Sequence, residues 1–80
     1  MMQRYDGYWI SGSAVPGPPY TTYWEALAVV LKGGHGSSIV EVTRLHLADF
    51  AIEIKEVAEW FGLEVARMIV EEYLPLRDSA

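Results

Sequence analysis

Apolar residues in the C-terminal third of the chain recur at the spacing of an α-helix. Drawn at about 100° per residue, seven of them fall within an arc of about 120°. These seven are Ile54, Val57, Ala58, Phe61, Val65, Met68 and Ile69. An acidic side chain at Asp49 or Glu53 suits the start of a helix, and Pro75 stops it after Leu74. The pattern predicts a helix over residues 53–74, with this main stripe facing the rest of the fold.

The same helix carries a row of small residues and a second apolar row. Ala58, Gly62 and Ala66 follow one another at four-residue steps, which allows another backbone to approach closely. This accounts for a glycine that costs about 1 kcal/mol relative to alanine in a helix. The second apolar row lies opposite the main stripe and contains Trp60, Leu63, Val70 and Leu74, with Arg67 among them. Such a patch predicts an interface with a second copy, most commonly in a C2 homodimer, or with another protein.

Two upstream segments have the composition of β-strands, and a third is ambiguous. Residues 5–15 are rich in aromatic and small side chains, whereas residues 38–47 are rich in β-branched side chains. Residues 23–32 can begin a helix capped by Gly33, or form a strand joined to residues 38–47. The strand is favoured, because the two runs have similar lengths and the glycine-rich link Gly33–Gly36 reads as a hairpin turn.

Together these segments predict a single α+β domain over residues 1–80. A three-stranded antiparallel β-meander occupies residues 4–47, one long α-helix over residues 53–74 packs on it, and residues 75–80 form a short tail. Three strands and a helix are close to the minimum for independent stability. A chain this short buries only about 60% of its unfolded surface, so association with a second copy would help to stabilise it.

Charge is distributed unevenly along the chain and excludes some classes of partner. The formal net charge is −5, from 11 Asp and Glu against 6 Lys and Arg, and the whole excess lies in residues 49–80. Nucleic acids and anionic membranes reward clustered Lys and Arg, so neither is an expected partner. The chain has no cysteine, no leader-like pattern and no apolar run of the roughly 20 residues that a membrane span needs. We therefore expect a soluble, cytoplasmic protein.

Residues that could carry chemistry do not form a known motif. The glycine-rich segment Lys32–Ser38 lacks the residue order of a phosphate-binding loop. His35 and His46 lack the spacing of a zinc site, even with Asp49 and Glu53 as further ligands. No serine lies in a Gly-x-Ser-x-Gly elbow. We therefore predict no catalytic residue, no metal ligand and no cofactor.

Residues 55–66 carry a motif of the form K-E-x-A-E-x-x-G-L-E-x-A. This motif resembles the C-terminal helix of a family of small uncharacterised bacterial α+β proteins. Residues 11–16 and 36–42 are similar to the strand motifs of that family. Two positions differ, since Ile54 stands in place of a capping Ser or Thr and Val70 in place of an aromatic residue. The resemblance implies an α+β fold and no particular activity.

These features predict a small non-catalytic protein-interaction or regulatory module that works as a homodimer. Two alternatives stay open. The eight acidic residues after residue 48 suit an acidic decoy of phage or mobile-element origin, which presents carboxylates where its target binds phosphate. The other alternative is a small-ligand pocket lined by aromatic side chains of the strand region and one histidine, namely Tyr5, Tyr8, Trp9, Trp24 and His35. Tyr5, Tyr8 and Trp9 of this set also form a second candidate interaction surface, because Tyr and Trp are enriched at interfaces.

Overall fold

A four-stranded antiparallel sheet followed by one helix makes up residues 1–33 and 38–75, the part of the chain that the computed structural model describes. The strands are β1 (Met2–Tyr5), β2 (Tyr8–Pro16), β3 (Trp24–Gly33) and β4 (Ile39–Ile52), and they neighbour one another in chain order. The helix α1 (Lys55–Met68) continues into a π-helical turn over Ile69–Tyr73. The α+β class and the C-terminal helix are confirmed, but the prediction of three strands is wrong.

The additional strand is β1, which a two-residue turn joins to β2. Asp6 and Gly7 have φ angles of 50° and 84°, as a type I′ turn requires. The turn sets Tyr5 opposite Tyr8 and leads to Met2 opposite Ser11. An Asp-Gly pair is a strong local signal for a hairpin, so this strand was detectable in the sequence.

The ambiguous segment, residues 23–32, forms a strand, as favoured. β3 pairs with β2 along nearly its whole length, from Trp24 opposite Pro16 to Leu31 opposite Trp9. β4 continues to Ile52, well beyond its predicted end. The hairpin link and His35 lie in residues 34–37, outside the described residues, as does most of the predicted tail.

One face of the sheet receives the helix over β2 and β3. A Cβ atom added to Gly12 would overlap backbone atoms of Glu59 and Leu63 in α1. Gly12 is opposite Ala28, which in turn is opposite Leu45, and opposed residues in an antiparallel pair share a face. This helix side holds the core cluster of Ile10, Ala28, Val30, Leu63, Ala66, Val70 and Leu74.

The buried face of the helix differs from the predicted one. Its centre is the small-residue row, since Ala58, Gly62 and Ala66 are buried against the sheet. The helix is therefore rotated so that most of the second apolar row enters the core, and the main stripe is only partly covered. Leu63, Val70 and Leu74 are 6%, 3% and 2% exposed. The prediction that these three form a surface interface is therefore wrong, because they fill the core of their own chain.

Candidate interaction surface

The apolar side chains that the fold leaves uncovered concentrate along the junction between β4 and α1. A helix is about 10 Å wide and neighbouring strands are about 4.8 Å apart, so one helix covers about two strands. Because α1 lies over β2 and β3, the helix side of β4 has no covering element among the described residues. We call this junction the β4–α1 seam, and its partly or fully exposed apolar residues are Leu45, Phe50, Ile54, Val57, Ile69 and Tyr73.

One ring contact and two depressions lie along the β4–α1 seam. The rings of Phe50 and Phe61 meet near the middle of the seam, with centroids 5.1 Å apart and planes inclined by 46°. On one side of this contact is an open depression of about 260 Å³, lined by Thr43, Leu45, Ile69 and Tyr73. On the other side is a second depression of about 290 Å³, lined by Ala51, Ile52, Glu53, Ile54 and Val57. The seam is thus a row of apolar side chains with one open depression on each side of the Phe50–Phe61 contact.

The outer edge of β4 adjoins the seam and pairs with no described strand. β4 is 14 residues long, and neither proline nor lysine interrupts it. Exposed edges of this kind are usually shortened, charged or covered, because their free N–H and C=O groups bind other strands. The opposite edge of the sheet, β1, has only four residues. The sequence interpretation placed the interface on the helix and missed β4, although the β-branched composition of residues 38–47 was visible.

A β-bulge interrupts β4 close to its beginning. Val30 is opposite Thr43 and Leu31 is opposite Glu41, so Val42 is the extra residue. The bulge shifts the alternation of faces by one residue. Glu41 and Arg44 therefore both lie on the open face of the sheet, away from α1, and form an exposed ion pair with an Arg44 Nη2 to Glu41 Oε1 distance of 2.9 Å.

The exposed area of the chain is larger than expected for a monomer of its mass. The structure exposes 5444 Å², whereas monomeric proteins of 9.0 kDa expose about 4900 Å² by the general scaling. Its flattened shape, 43 × 28 × 17 Å, accounts for the excess. The difference is about 550 Å², roughly two thirds of the 800 Å² or so that each partner contributes to a standard interface.

The open face of the sheet holds one buried carboxylate. Glu25 is 7% exposed, and its Oε1 atom lies 2.8 Å from Nε2 of His46 on β4. This contact gives His46 a structural role in joining β3 to β4. It also accounts for a charged residue at a buried strand position.

Replacing His46 with alanine is expected to destabilise the protein by about 1–3 kcal/mol, because the buried Glu25 carboxylate then loses its partner. The free energy of unfolding in urea measures this effect. The matched control is Arg44→Ala, which removes a neighbouring side chain of β4 from an exposed ion pair worth at most about 1 kcal/mol. Both variants are measured at a concentration where the chain is monomeric, so that no contact of Arg44 with a second copy contributes. Equal losses in the two variants would contradict the structural role of His46.

Arg67 and its neighbours bind the first strand to the end of the helix. Arg67 Nη1 donates to Glu71 at 3.0 Å and Nη2 donates to Glu64 at 2.6 Å, while the Tyr5 hydroxyl also donates to Glu71. The hydrogen bond with Tyr5 lowers the pKa of Glu71 and raises the pKa of Tyr5. The hydrogen bond with Glu64 raises the pKa of Arg67. Arg67, predicted in the interface row, is thus held within its own chain, and Trp60 is the row's one fully exposed member at 56%.

Of the described members of the aromatic pocket, the structure brings together Tyr5 and Tyr8, which are opposed across β1 and β2, but not Trp9 and Trp24. Tyr8 packs against the core on the helix side. The adjacent Trp9 lies on the open face, and the guanidinium carbon of Arg4 is 5.5 Å from the centroid of the Trp9 ring. Trp24 lies at the other end of the β2–β3 pair, about 23 Å from Trp9 at 3.3 Å per residue. The amino group of Lys55 lies over the Trp24 ring. The aromatic pocket proposed from the sequence is therefore wrong for these residues.

No group of three or more His, Asp or Glu side chains within residues 1–33 and 38–75 is arranged to hold a metal ion. No helix in the same ranges is both long and apolar enough to cross a membrane. Comparison with protein-family models, with curated proteins and with solved structures finds no match to this chain.

Proposed function

We propose that this protein is a small non-catalytic interaction module that associates with a second copy of itself. The observation that carries the proposal is the β4–α1 seam beside an unpaired edge strand. The seam offers apolar side chains for burial, and the edge of β4 offers backbone hydrogen-bonding groups. A chain of 80 residues with a single helix covering half of its sheet gains stability from such burial.

Self-association is favoured over the two alternatives by the placement of particular side chains. An acidic decoy needs free carboxylates on one face, and two of the carboxylates in this part of the chain, Glu64 and Glu71, are bound to Arg67. An aromatic pocket needs its side chains on one side of the sheet, but Tyr8 and Trp9 lie on opposite sides. The seam and the β4 edge, in contrast, are continuous and uncovered in the described part of the chain.

Sedimentation velocity over a range of concentrations tests the proposal. The native protein is expected to sediment as a dimer, at twice the 9.0 kDa of the chain. Leu45→Lys, in the seam, is expected to raise the dissociation constant at least about tenfold, because a charge then opposes about 1.4 kcal/mol or more of apolar burial. Leu45 is 44% exposed, so its lysine variant can fold as a monomer.

Trp60→Lys is the matched control, since Trp60 is exposed on α1 outside the seam. It is expected to leave the dissociation constant unchanged. A native protein that stays monomeric at the highest concentration reached would overturn the proposal. If Trp60→Lys dissociated the dimer and Leu45→Lys did not, the interface would lie on the exposed side of α1 around Trp60, and the seam would not be the site of association.

A further inference from the structure

We infer that two copies join through their β4 strands, paired antiparallel about a two-fold axis, with Glu41 of each copy opposite Arg44 of the partner subunit. The two four-stranded sheets then become one continuous sheet with both helices on the same side. This inference rests on the proposed self-association and adds its geometry. The two-fold axis passes between Val42 and Thr43.

The edge of β4 is suited to this pairing and the edge of β1 is not. β1 has four residues and ends close to the N-terminus, whereas β4 has 14. Ile39, Val40 and Leu45 on β4 are all exposed, so side chains that favour strands stand on an edge that nothing described covers. Pairing of the two β4 strands would satisfy the free backbone groups of both copies at once.

The bulge at Val42 decides which registers are compatible with the faces of the sheet. Val40 is opposite Lys32, and Leu45 is opposite Ala28, so both lie on the helix side. The proposed register sets Val40 opposite the partner's Leu45, so that two apolar side chains meet on that side. Without the extra residue, positions 40 and 45 would lie on opposite faces and could not oppose each other.

Charge distinguishes this register from the main alternative in which opposed residues of the two copies also lie on the same face of the sheet. The proposed register brings each Glu41 opposite an Arg44 of the partner subunit, which forms a neutral group of four charges around the axis. A register centred on Leu45 would set Arg44 opposite the partner's His46 and Glu41 opposite the partner's Asp49, two acids facing each other. Like charges directly opposed across strands are destabilising.

Charge exchange tests the register in solution. Glu41→Arg alone sets the introduced arginine of one copy against Arg44 of the partner subunit, so the dissociation constant is expected to rise about tenfold or more. Arg44→Glu alone, which opposes two acids in the same way, is expected to do the same. A mixture of the two single variants should form a heterodimer with an affinity near that of the native protein, because the arginines at positions 41 and 44 of one chain are then opposite the glutamates at positions 44 and 41 of the other.

The double variant Glu41→Arg with Arg44→Glu exchanges both charges within one chain. Each position 41 then again faces a position 44 of opposite charge on the partner subunit. Its dissociation constant is expected to return to near that of the native protein. The exchange also restores the ion pair within the chain. To separate this effect from the contact between copies, the free energy of unfolding of each single variant is measured at a concentration where it is monomeric, and its dissociation constant is measured separately. Single variants that unfold like the native monomer yet associate about tenfold more weakly support the register, and single variants that associate as tightly as the native protein would overturn it.

Disulfide cross-linking gives a second, independent test, and the chain has no cysteine of its own to interfere. A mixture of Val40→Cys and Leu45→Cys chains is expected to form a heterodimeric disulfide under mild oxidation, since directly opposed Cβ atoms lie about 4.5–5.5 Å apart. Neither variant alone should cross-link efficiently. Met2→Cys, on the β1 edge, is the control and should stay reduced.

The outcomes separate this inference from the proposed function. Efficient cross-linking of Leu45→Cys with itself would show a register centred on Leu45, and cross-linking of Met2→Cys would show pairing through β1; either result overturns the inference. A native dimer that shows none of the expected cross-links would overturn the pairing of β4 but leave self-association standing. A native monomer would overturn both.

Discussion

Replacing Gly12 with alanine is expected to cost about 3 kcal/mol or more in the free energy of unfolding. A Cβ atom at this position would overlap the carbonyl oxygen of Glu59 and the amide nitrogen of Leu63. Both are backbone atoms of α1, so relief requires the whole helix to move away from the sheet. For a domain of this length the total stability is on the order of 4–12 kcal/mol. The melting temperature should therefore fall by about 10–20 °C.

Gly33→Ala is the matched control for this prediction. A Cβ atom there would have no neighbour within 4 Å, so the change in stability should be small. Gly62→Ala should lie between the two, since its Cβ would be 2.5 Å from the carbonyl oxygen of Leu27 but alanine also favours the helix by about 1 kcal/mol. Urea denaturation of the three variants gives the order. A loss at Gly12 no larger than at Gly33 would contradict the close crossing of helix and sheet.

This crossing explains why the helix was predictable and its orientation was not. The spacing of large apolar residues located the helix, because a repeat of about 3.6 residues is a property of the local sequence. The same spacing placed the main stripe at the centre of contact, whereas Ala58, Gly62 and Ala66 occupy that position. Small side chains contribute little to an apolar pattern, yet they allow the closest approach of two backbones. The sequence shows the row of small residues, but it does not show that this row, rather than the main stripe, sets the orientation of the helix.

The strands divide according to how local their signals are. β3 could be chosen over a helix because its length matches that of its neighbour and glycines follow it. β1 was missed, although Asp6-Gly7 marks the turn after it. The extension of β4 to Ile52 depends on a distant contact, the packing of Phe50 on Phe61. No local pattern specifies a contact of that kind.

The β4–α1 seam could not be read from the sequence for a geometric reason. Its residues are apolar in the same way as those of the core, and whether they are covered depends on where a single helix sits across a wider sheet. Val57 was predicted to face the sheet and Leu63 to face outward, and the structure exchanges their roles. The expectation of surplus apolar surface was sound, but its position required the three-dimensional fold.

Replacing Leu63 with alanine tests this exchange and is expected to destabilise the protein by about 2–5 kcal/mol, as buried leucines do. Leu63 is 6% exposed and belongs to the core cluster with Ile10 and Val30. Removing its side chain leaves a cavity beside Gly12 that the closely packed backbones cannot easily fill. Thermal and urea denaturation, compared at equal protein concentration, measure the loss.

Trp60→Ala is the control that separates a core role from an interface role, because Trp60 and Leu63 were predicted in the same row of the helix. Trp60 is 56% exposed, so its truncation should change the free energy of unfolding by about 0.5 kcal/mol or less. An interface formed by the row would give similar losses in the two variants, and both losses would vanish on dilution to the monomer. A core role keeps the Leu63 loss at every concentration, since a cavity within one chain does not depend on the partner.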